Sequence, residues 1–221
     1  MRGLAPALVA EAVGTFLFFF IAAGAALAAT GDPAAVLLTI ALAHGVVLAV
    51  LVSSFGAVSG GHFNPAVTLG LWVAGKVDLV RGGSYFVAQM VAAAAAGYAL
   101  VYVFTDVAPA VPALGAGVDV TEGIILEAIM TMVLLFAVFG TAVDARGPKI
   151  GGLAIGFAVA ADILLGGTLT GAAMNPARWF GPALAAGDFS NWYVWWIGPF
   201  AGAIIVALLY RFLLSAPEEV G

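Results

Sequence analysis

The chain carries one short phrase twice, and the repetition limits what it can fold into. Gly60-Gly61-His62-Phe63-Asn64-Pro65-Ala66-Val67-Thr68-Leu69-Gly70 is echoed by Gly171-Ala172-Ala173-Met174-Asn175-Pro176-Ala177-Arg178-Trp179-Phe180-Gly181. Both copies read Asn-Pro-Ala with a glycine four residues on. Asn is a favoured N-cap, because its side-chain oxygen accepts from an early backbone N–H. Pro suits the first helical position, whose N–H would have no partner. Each copy therefore predicts the first turn of a helix. The helices are short: residues 64–74 make a rod of roughly 16 Å, about half the ~30 Å hydrocarbon core of a bilayer.

That comparison is apt because the chain belongs in a bilayer. It is 64% hydrophobic and 9% charged, whereas soluble domains carry roughly 25% charged residues. It cannot cover a globule with polar surface, so it reads as an all-α integral membrane protein. No Cys is present, which excludes disulfides, thiolate catalysis and Cys-based metal sites. There is no basic cluster for nucleic acid. Arg2 before an apolar run and Ala26-Leu27-Ala28 imitate a signal peptide, but residues 12–29 are long for one and Glu11 opens the run, so a retained membrane helix is expected.

Six long apolar segments, approximately 5–29, 35–57, 82–104, 122–143, 151–169 and 192–214, predict six transmembrane helices. The two half-helices are extra. Non-helical backbone leading into them is tolerable only if buried in protein or lining a wet cavity, which already points to a pore or a binding site. Arg2, Lys76, Arg81, Arg146, Lys149 and Arg211 all fall on one face of six spans. The other face carries Asp32, Asp106, Asp119, Asp188 and Glu122 with no Lys or Arg. Lys and Arg mark the cytoplasmic side, so both termini are expected there.

The halves repeat. Glu11-Ala12-Val13-Gly14-Thr15 parallels Glu127-Ala128-Ile129-Met130-Thr131. Three spans separate the copies, an odd number, so a single channel domain of two inverted repeats is expected: 1–104, a linker 105–121, and 122–221. Inverted repeats place a site near the midplane where broken helices meet. The two half-helix N-termini then face each other, each carrying roughly half a positive charge. That is a barrier to cations, hydronium included. Asn64 and Asn175 keep amide donors aimed into the same space, so a water there has its oxygen claimed from two sides and cannot relay protons. Two turn-capping Asn-Pro pairs are the plainer reading, and their matched positions in inverted halves argue against it.

On these residues the sequence resembles an aquaporin, of the major intrinsic protein family, over essentially its whole length. The motifs are Ser59-Gly60-Gly61-His62-Phe63-Asn64-Pro65-Ala66-Val67-Thr68, Met174-Asn175-Pro176-Ala177-Arg178 and Trp196-Ile197-Gly198-Pro199-Phe200. Ala41-Leu42-Ala43-His44, Ile163-Leu164 and Gly187-Asp188-Phe189-Ser190-Asn191 resemble the plant tonoplast-type water and ammonia channels within that family. The resemblance implies a homotetramer with one pore per subunit, no cofactor, and an outer selectivity filter at His44, Ile163, Ala172 and Arg178. Arg178 would repel cations and donate hydrogen bonds to water. His in the second span and Ile in the fifth resemble filters that relax selectivity towards ammonia or urea. Ala183 and the Trp195-Trp196 pair look unlike a glycerol channel. Trp179 departs from both patterns.

The buried carboxylates Glu11 and Glu127 are expected to be structural, accepting hydrogen bonds from the re-entrant backbone. Asp162 is expected to make a helix-packing hydrogen bond, or else to orient His44 or Arg178. The register of His44 favours a pore-lining donor over a core histidine. Arg178 nearby disfavours a second positive charge, so a neutral ring is expected at pH 7, with permeability changing where acid protonates it. His62 is a candidate pore-lining residue. The function read from the chain is a passive water channel excluding protons and ions. Ammonia or urea conduction is the alternative. A transporter using Glu11, Glu127 or Asp162 as proton sites is the reading from another class. An enzyme is disfavoured, since Ser59 and His62 lack an activated-nucleophile setting.

Overall fold

The computed structural model describes residues 3–214. Arg2, counted above among the cations, lies outside them. Among the described residues the chain forms eight α-helices and no strand. They are α1 (Leu4–Ala28), α2 (Pro33–Ser59), α3 (Pro65–Val73), α4 (Leu79–Phe104), α5 (Val120–Val138), α6 (Leu153–Gly166), α7 (Pro176–Ala186) and α8 (Val194–Leu209). α5 and α8 each end in a wider π turn, Phe139–Val143 and Tyr210–Leu214.

Carboxylates cap the starts of α2, α4 and α5. Asp32 Oδ1 accepts from Ala34 N at 2.9 Å ahead of Pro33. Asp78 Oδ1 accepts from Arg81 N at 2.9 Å. Asp119 and Glu122 form a reciprocal capping box, 2.9 Å each way. Five segments are long and apolar enough to cross a membrane: Leu4–Ala28, Pro33–Ser59, Leu79–Phe104, Val120–Val143 and Val194–Leu214. The span expected at 151–169 is shorter. α6 has 14 residues, roughly 21 Å at 1.5 Å per residue. Gly151 turns with a φ of 60° before it, and Gly152 N is held by Ser53 Oγ at 2.9 Å. Beyond Gly166 the chain bends so that Thr170 can reach Glu127.

α1 packs on α2 and α4, α2 on α6, and α5 on α6 and α8. Small residues permit these approaches. A Cβ on Gly45 of α2 would stand 2.6 Å from the carbonyl oxygen of Gly156 on α6, so only glycine fits that crossing. Large apolar side chains such as Val46, Val50, Val87 and Val91 stay exposed on the outer surface, the distribution expected of a bundle whose solvent is lipid. The half-helices α3 and α7 sit inside. α3 lies against α8 and α4, and α7 against α4, so each leans on the last helix of the opposite half.

Candidate functional site

Each half-helix is capped by its own Asn in the same backbone conformation. Asn64 has φ −157° and ψ 120°, and Asn175 has φ −157° and ψ 109°. Asn64 Oδ1 accepts from Ala66 N at 2.7 Å. Asn175 Oδ1 accepts from Ala177 N at 3.0 Å and Arg178 N at 3.3 Å. The amide nitrogens cross between the halves: Asn64 Nδ2 donates to the Met174 carbonyl at 2.9 Å, and Asn175 Nδ2 to the Phe63 carbonyl at 3.0 Å. A primary amide has two N–H donors, so each Asn keeps one after this bond. The half-helix N-termini therefore meet head to head, tied through their caps.

The loops that deliver the two Asn are held by matching carboxylates. Glu11 Oε1 accepts from Ser59 Oγ at 2.6 Å and His62 N at 2.9 Å, and its Oε2 from Phe63 N at 2.8 Å. Glu127 Oε1 accepts from Thr170 Oγ1 at 2.7 Å and Ala173 N at 2.9 Å, and its Oε2 from Met174 N at 2.6 Å. Both glutamates are fully buried. Unpaired, each of these buried donors would cost ~1–3 kcal/mol. Phe63 and Met174, the residues before each Asn, have φ of 48° and 53°, a strained conformation for residues with a side chain. The carboxylates hold the backbone there.

A cavity of about 280 Å³ runs past the Asn pair. One wall is polar, with His62, Asn64, Asn175 and Arg178. The other is apolar, with Leu48, Val52, Leu134, Ile155 and Val159 among its members. It reaches Arg178 at one end and Lys76 and Val143 at the other. His62 is buried, and its Nδ1 lies 3.0 Å from Thr68 Oγ1. The Thr68 hydroxyl proton goes to the Asn64 carbonyl at 3.0 Å. His62 Nδ1 must then donate, which leaves Nε2 an acceptor.

Arg178 and His44 meet. Arg178 Nε donates to His44 Nε2 at 3.0 Å, and Arg178 Nη1 to the Gly171 carbonyl at 3.0 Å. His44 Nδ1 lies 2.8 Å from the Ile40 carbonyl. These partners fix the tautomer: Nδ1 carries the proton, Nε2 accepts, and the ring is neutral, since an imidazolium could not accept from a guanidinium. Both ring nitrogens are thereby engaged. The sequence register makes His44 a pore-lining donor; here its two ring nitrogens meet Arg178 and Ile40. Ile163 and Ala172 are buried in one apolar cluster, and Ala172 follows Gly171 with φ 44°. Asp162 is also buried, but its Oδ2 has no hydrogen-bond partner. It makes neither a packing bond through that oxygen nor one of the bonds that orient His44 and Arg178.

Sequence reasoning passed over the donors behind the loops. Tyr85 OH donates to the Ser59 carbonyl at 2.8 Å, and Trp195 Nε1 to the Thr170 carbonyl at 3.0 Å. Gln89 Nε2 donates to Glu11 Oε2 at 2.9 Å and Thr68 Oγ1 at 3.0 Å. One signal was available: Ser59 and Thr170 each stand five residues before an Asn. Trp179 now has a place, stacked on Trp195 with centroids 5.6 Å apart and planes within 6°.

Comparison with known proteins agrees with this geometry. The sequence matches the family described as major intrinsic protein over residues 3–210. It is 44% identical over 224 residues to "Aquaporin TIP4-4" of Zea mays, covering 97% of this chain and 88% of that protein. It is 42% identical over 222 residues to "Aquaporin TIP2-1" of Arabidopsis thaliana, covering 96% and 89%. Among solved structures, the aquaglyceroporin from Plasmodium falciparum matches with a TM-score of 0.73 at 24% identity, over 96% of this chain and 97% of that one, a likeness of fold.

Proposed function

The chain belongs to the major intrinsic protein family, and from that premise we propose that its permeant is water, passed in single file while protons and ions are refused. That it is a multi-pass membrane protein and a passive channel for water or small solutes follows from the family. The finer reading rests above all on the crossed Asn amides. Each Asn is fixed at both ends, by its cap and by the opposite loop. Each keeps one N–H for the cavity. A water between them accepts twice and has its own hydrogens turned outwards, so it cannot accept a proton from either neighbour. The opposed positive helix ends raise the energy of any cation at the same point.

Arg178 supplies the second barrier. Two of its N–H groups are committed to His44 and Gly171, and a guanidinium has five. The rest can donate to a permeant oxygen. Ile163 and Ala172 offer no side-chain hydrogen bond. With Ile163 and Ala172 as filter residues, the place the family resemblance implies for them, that apolar side favours the runner-up reading, ammonia alongside water. The proton-transporter reading is disfavoured, because Glu11 and Glu127 each accept three or more bonds from fixed donors, leaving little capacity for a shuttled proton. We also read the chain as one unit of two inverted repeats, with both termini on the Lys- and Arg-bearing face, assembled as a homotetramer.

The test is stopped-flow light scattering on proteoliposomes, with Ala172→Trp as the blocked pore. Fast shrinkage under an impermeant osmolyte that Ala172→Trp abolishes is the expected result. Internal alkalinisation on adding ammonium reads the alternative. If it accelerates with the wild type and not with the blocked pore, ammonia shares the path. Shrinkage no faster than in protein-free vesicles would overturn the reading.

A further inference from the structure

The wall of the pore cavity carries full charge at both ends. Arg178 stands at one end and Lys76 at the other. Among the described residues no other Lys, Arg, Asp or Glu lines it. Symmetry of the repeat does not require this. Counted from each Asn, the first-half counterpart of Arg178 is Val67, which also lines the cavity. The first half therefore has an apolar side chain where the second has its guanidinium.

Lys76 reaches the wall by another route. α3 has nine residues, a rod of roughly 14 Å that starts at the Asn pair. It ends in a tight turn, where Gly75 takes a φ of 73° and Lys76 N donates to the Leu71 carbonyl at 2.8 Å. α7 ends in the same turn, with Gly187 at φ 73° and Asp188 N donating to the Ala183 carbonyl at 3.0 Å. Lys76 and Asp188 are thus counterparts of opposite charge. Asp188 does not line the cavity, and its Oδ1 accepts from Ser190 N at 2.9 Å.

A helix C-terminus carries roughly half a negative charge. Alone, the end of α3 would draw cations to this mouth. The Lys76 ammonium reverses the sign. No carboxylate pairs with it: the salt bridge among the described residues joins Arg146 to Asp144, and Asp78 Oδ1 is taken up as the cap of α4. Membrane topology calls for Lys and Arg on this face, but not within the wall of the pore.

We propose that Lys76 is a specificity-determining residue at the mouth opposite Arg178, holding ammonium and other cations out of the entrance while neutral solutes pass. This rests on the cavity being the conducting path. A cation approaching from either side then meets positive charge before it reaches the Asn pair.

The test reads the potential at that mouth. The chain has no Cys, so a single thiol can be placed there. Ala142 is exposed and lines the cavity at the Lys76 end, beside Val143. Ala142→Cys in the full chain, held in phosphatidylcholine nanodiscs, is treated with an anionic or a cationic methanethiosulfonate, and modification is followed by mass. Each rate is divided by that of free mercaptoethanol. Val143→Cys repeats the measurement one residue on. The expected result is a preference for the anionic reagent of about threefold or more at low salt, falling towards one at about 1 M, where the Debye length is ~3 Å. Lys76→Arg keeps the preference, Lys76→Gln removes it and Lys76→Glu inverts it. A ratio that ignores both Lys76→Gln and Lys76→Glu would overturn the proposal and leave Lys76 as a cap and topology residue. The modification rates do not depend on water flux, so stopped-flow shrinkage of vesicles tests the conducting path separately.

Discussion

The two loops that deliver Asn64 and Asn175 share the backbone hydrogen bonds to a buried glutamate and differ in much of what packs behind them. In each, a buried glutamate accepts from a hydroxyl and two successive N–H groups. In each, an aromatic donor holds the carbonyl of the Ser or Thr. Behind the first loop stands a polar lattice of His62, Thr68 and Gln89. The corresponding residues behind the second, counted from the same landmarks, are Ala173, Trp179 and Pro199. There the support is the stacked Trp179–Trp195 pair. The difference teaches that the position of each Asn is set by backbone geometry, while the means of support is free to vary.

Removing the carboxylates tests the shared part and should have the largest effect. Glu127→Ala leaves three buried donors without partners, at ~1–3 kcal/mol each. Glu11→Ala leaves four, Gln89 Nε2 among them, but should cost less because the polar lattice beside it can re-pair. Gln89 Oε1 is buried without a partner beside Glu11, and its amide can turn to accept one of the orphaned N–H groups. Melting of the two variants in detergent ranks them, and equal losses would break the distinction between lattice and stack.

Next comes the support itself. Trp179→Ala removes half of the stack and should cost ~3–5 kcal/mol, as other buried Trp truncations do. Thr68→Ala at the matching position removes three hydrogen bonds, each worth ~1 kcal/mol net. Gly14→Ala comes third, at ~1–3 kcal/mol of overpacking. Its Cβ would enter the Phe63 ring, whereas the second half carries Met130 at the matching place. Phe63→Leu should restore part of that loss, which thermal melting of the double variant reads. The smallest effect is expected of Ala172→Gly. The first half has Gly61 there with φ 65°, and Ala172 holds φ 44° with a side chain. Relief of strain and added unfolded-state entropy nearly cancel, so stability should move by less than ~1 kcal/mol.

The fold was legible because its signals are local and apolar. Six hydrophobic runs and two Asn-Pro caps placed every helix, and the parallel Glu11 and Glu127 segments exposed the repeat. The length of α6 was not legible, because Gly152 and Gly166 end it through contacts with Ser53 and with the loop that follows. The Asn pair and the glutamates could be read as a site because the same residues recur. His44 could be placed but not assigned a role, since that depended on Arg178 and Ile40 claiming both ring nitrogens. Asp162 resisted for the same reason: whether a buried carboxylate has a partner is a fact of three-dimensional packing.

The central claim is that the crossed Asn amides pass water and stop protons. It is tested most directly by recording both fluxes in the same vesicles. Proteoliposomes loaded with a pH-sensitive dye are exposed at once to an impermeant osmolyte and to external acid. The account predicts shrinkage severalfold faster than in protein-free vesicles, with acidification no faster than theirs. Acidification that accelerates in step with shrinkage would contradict it.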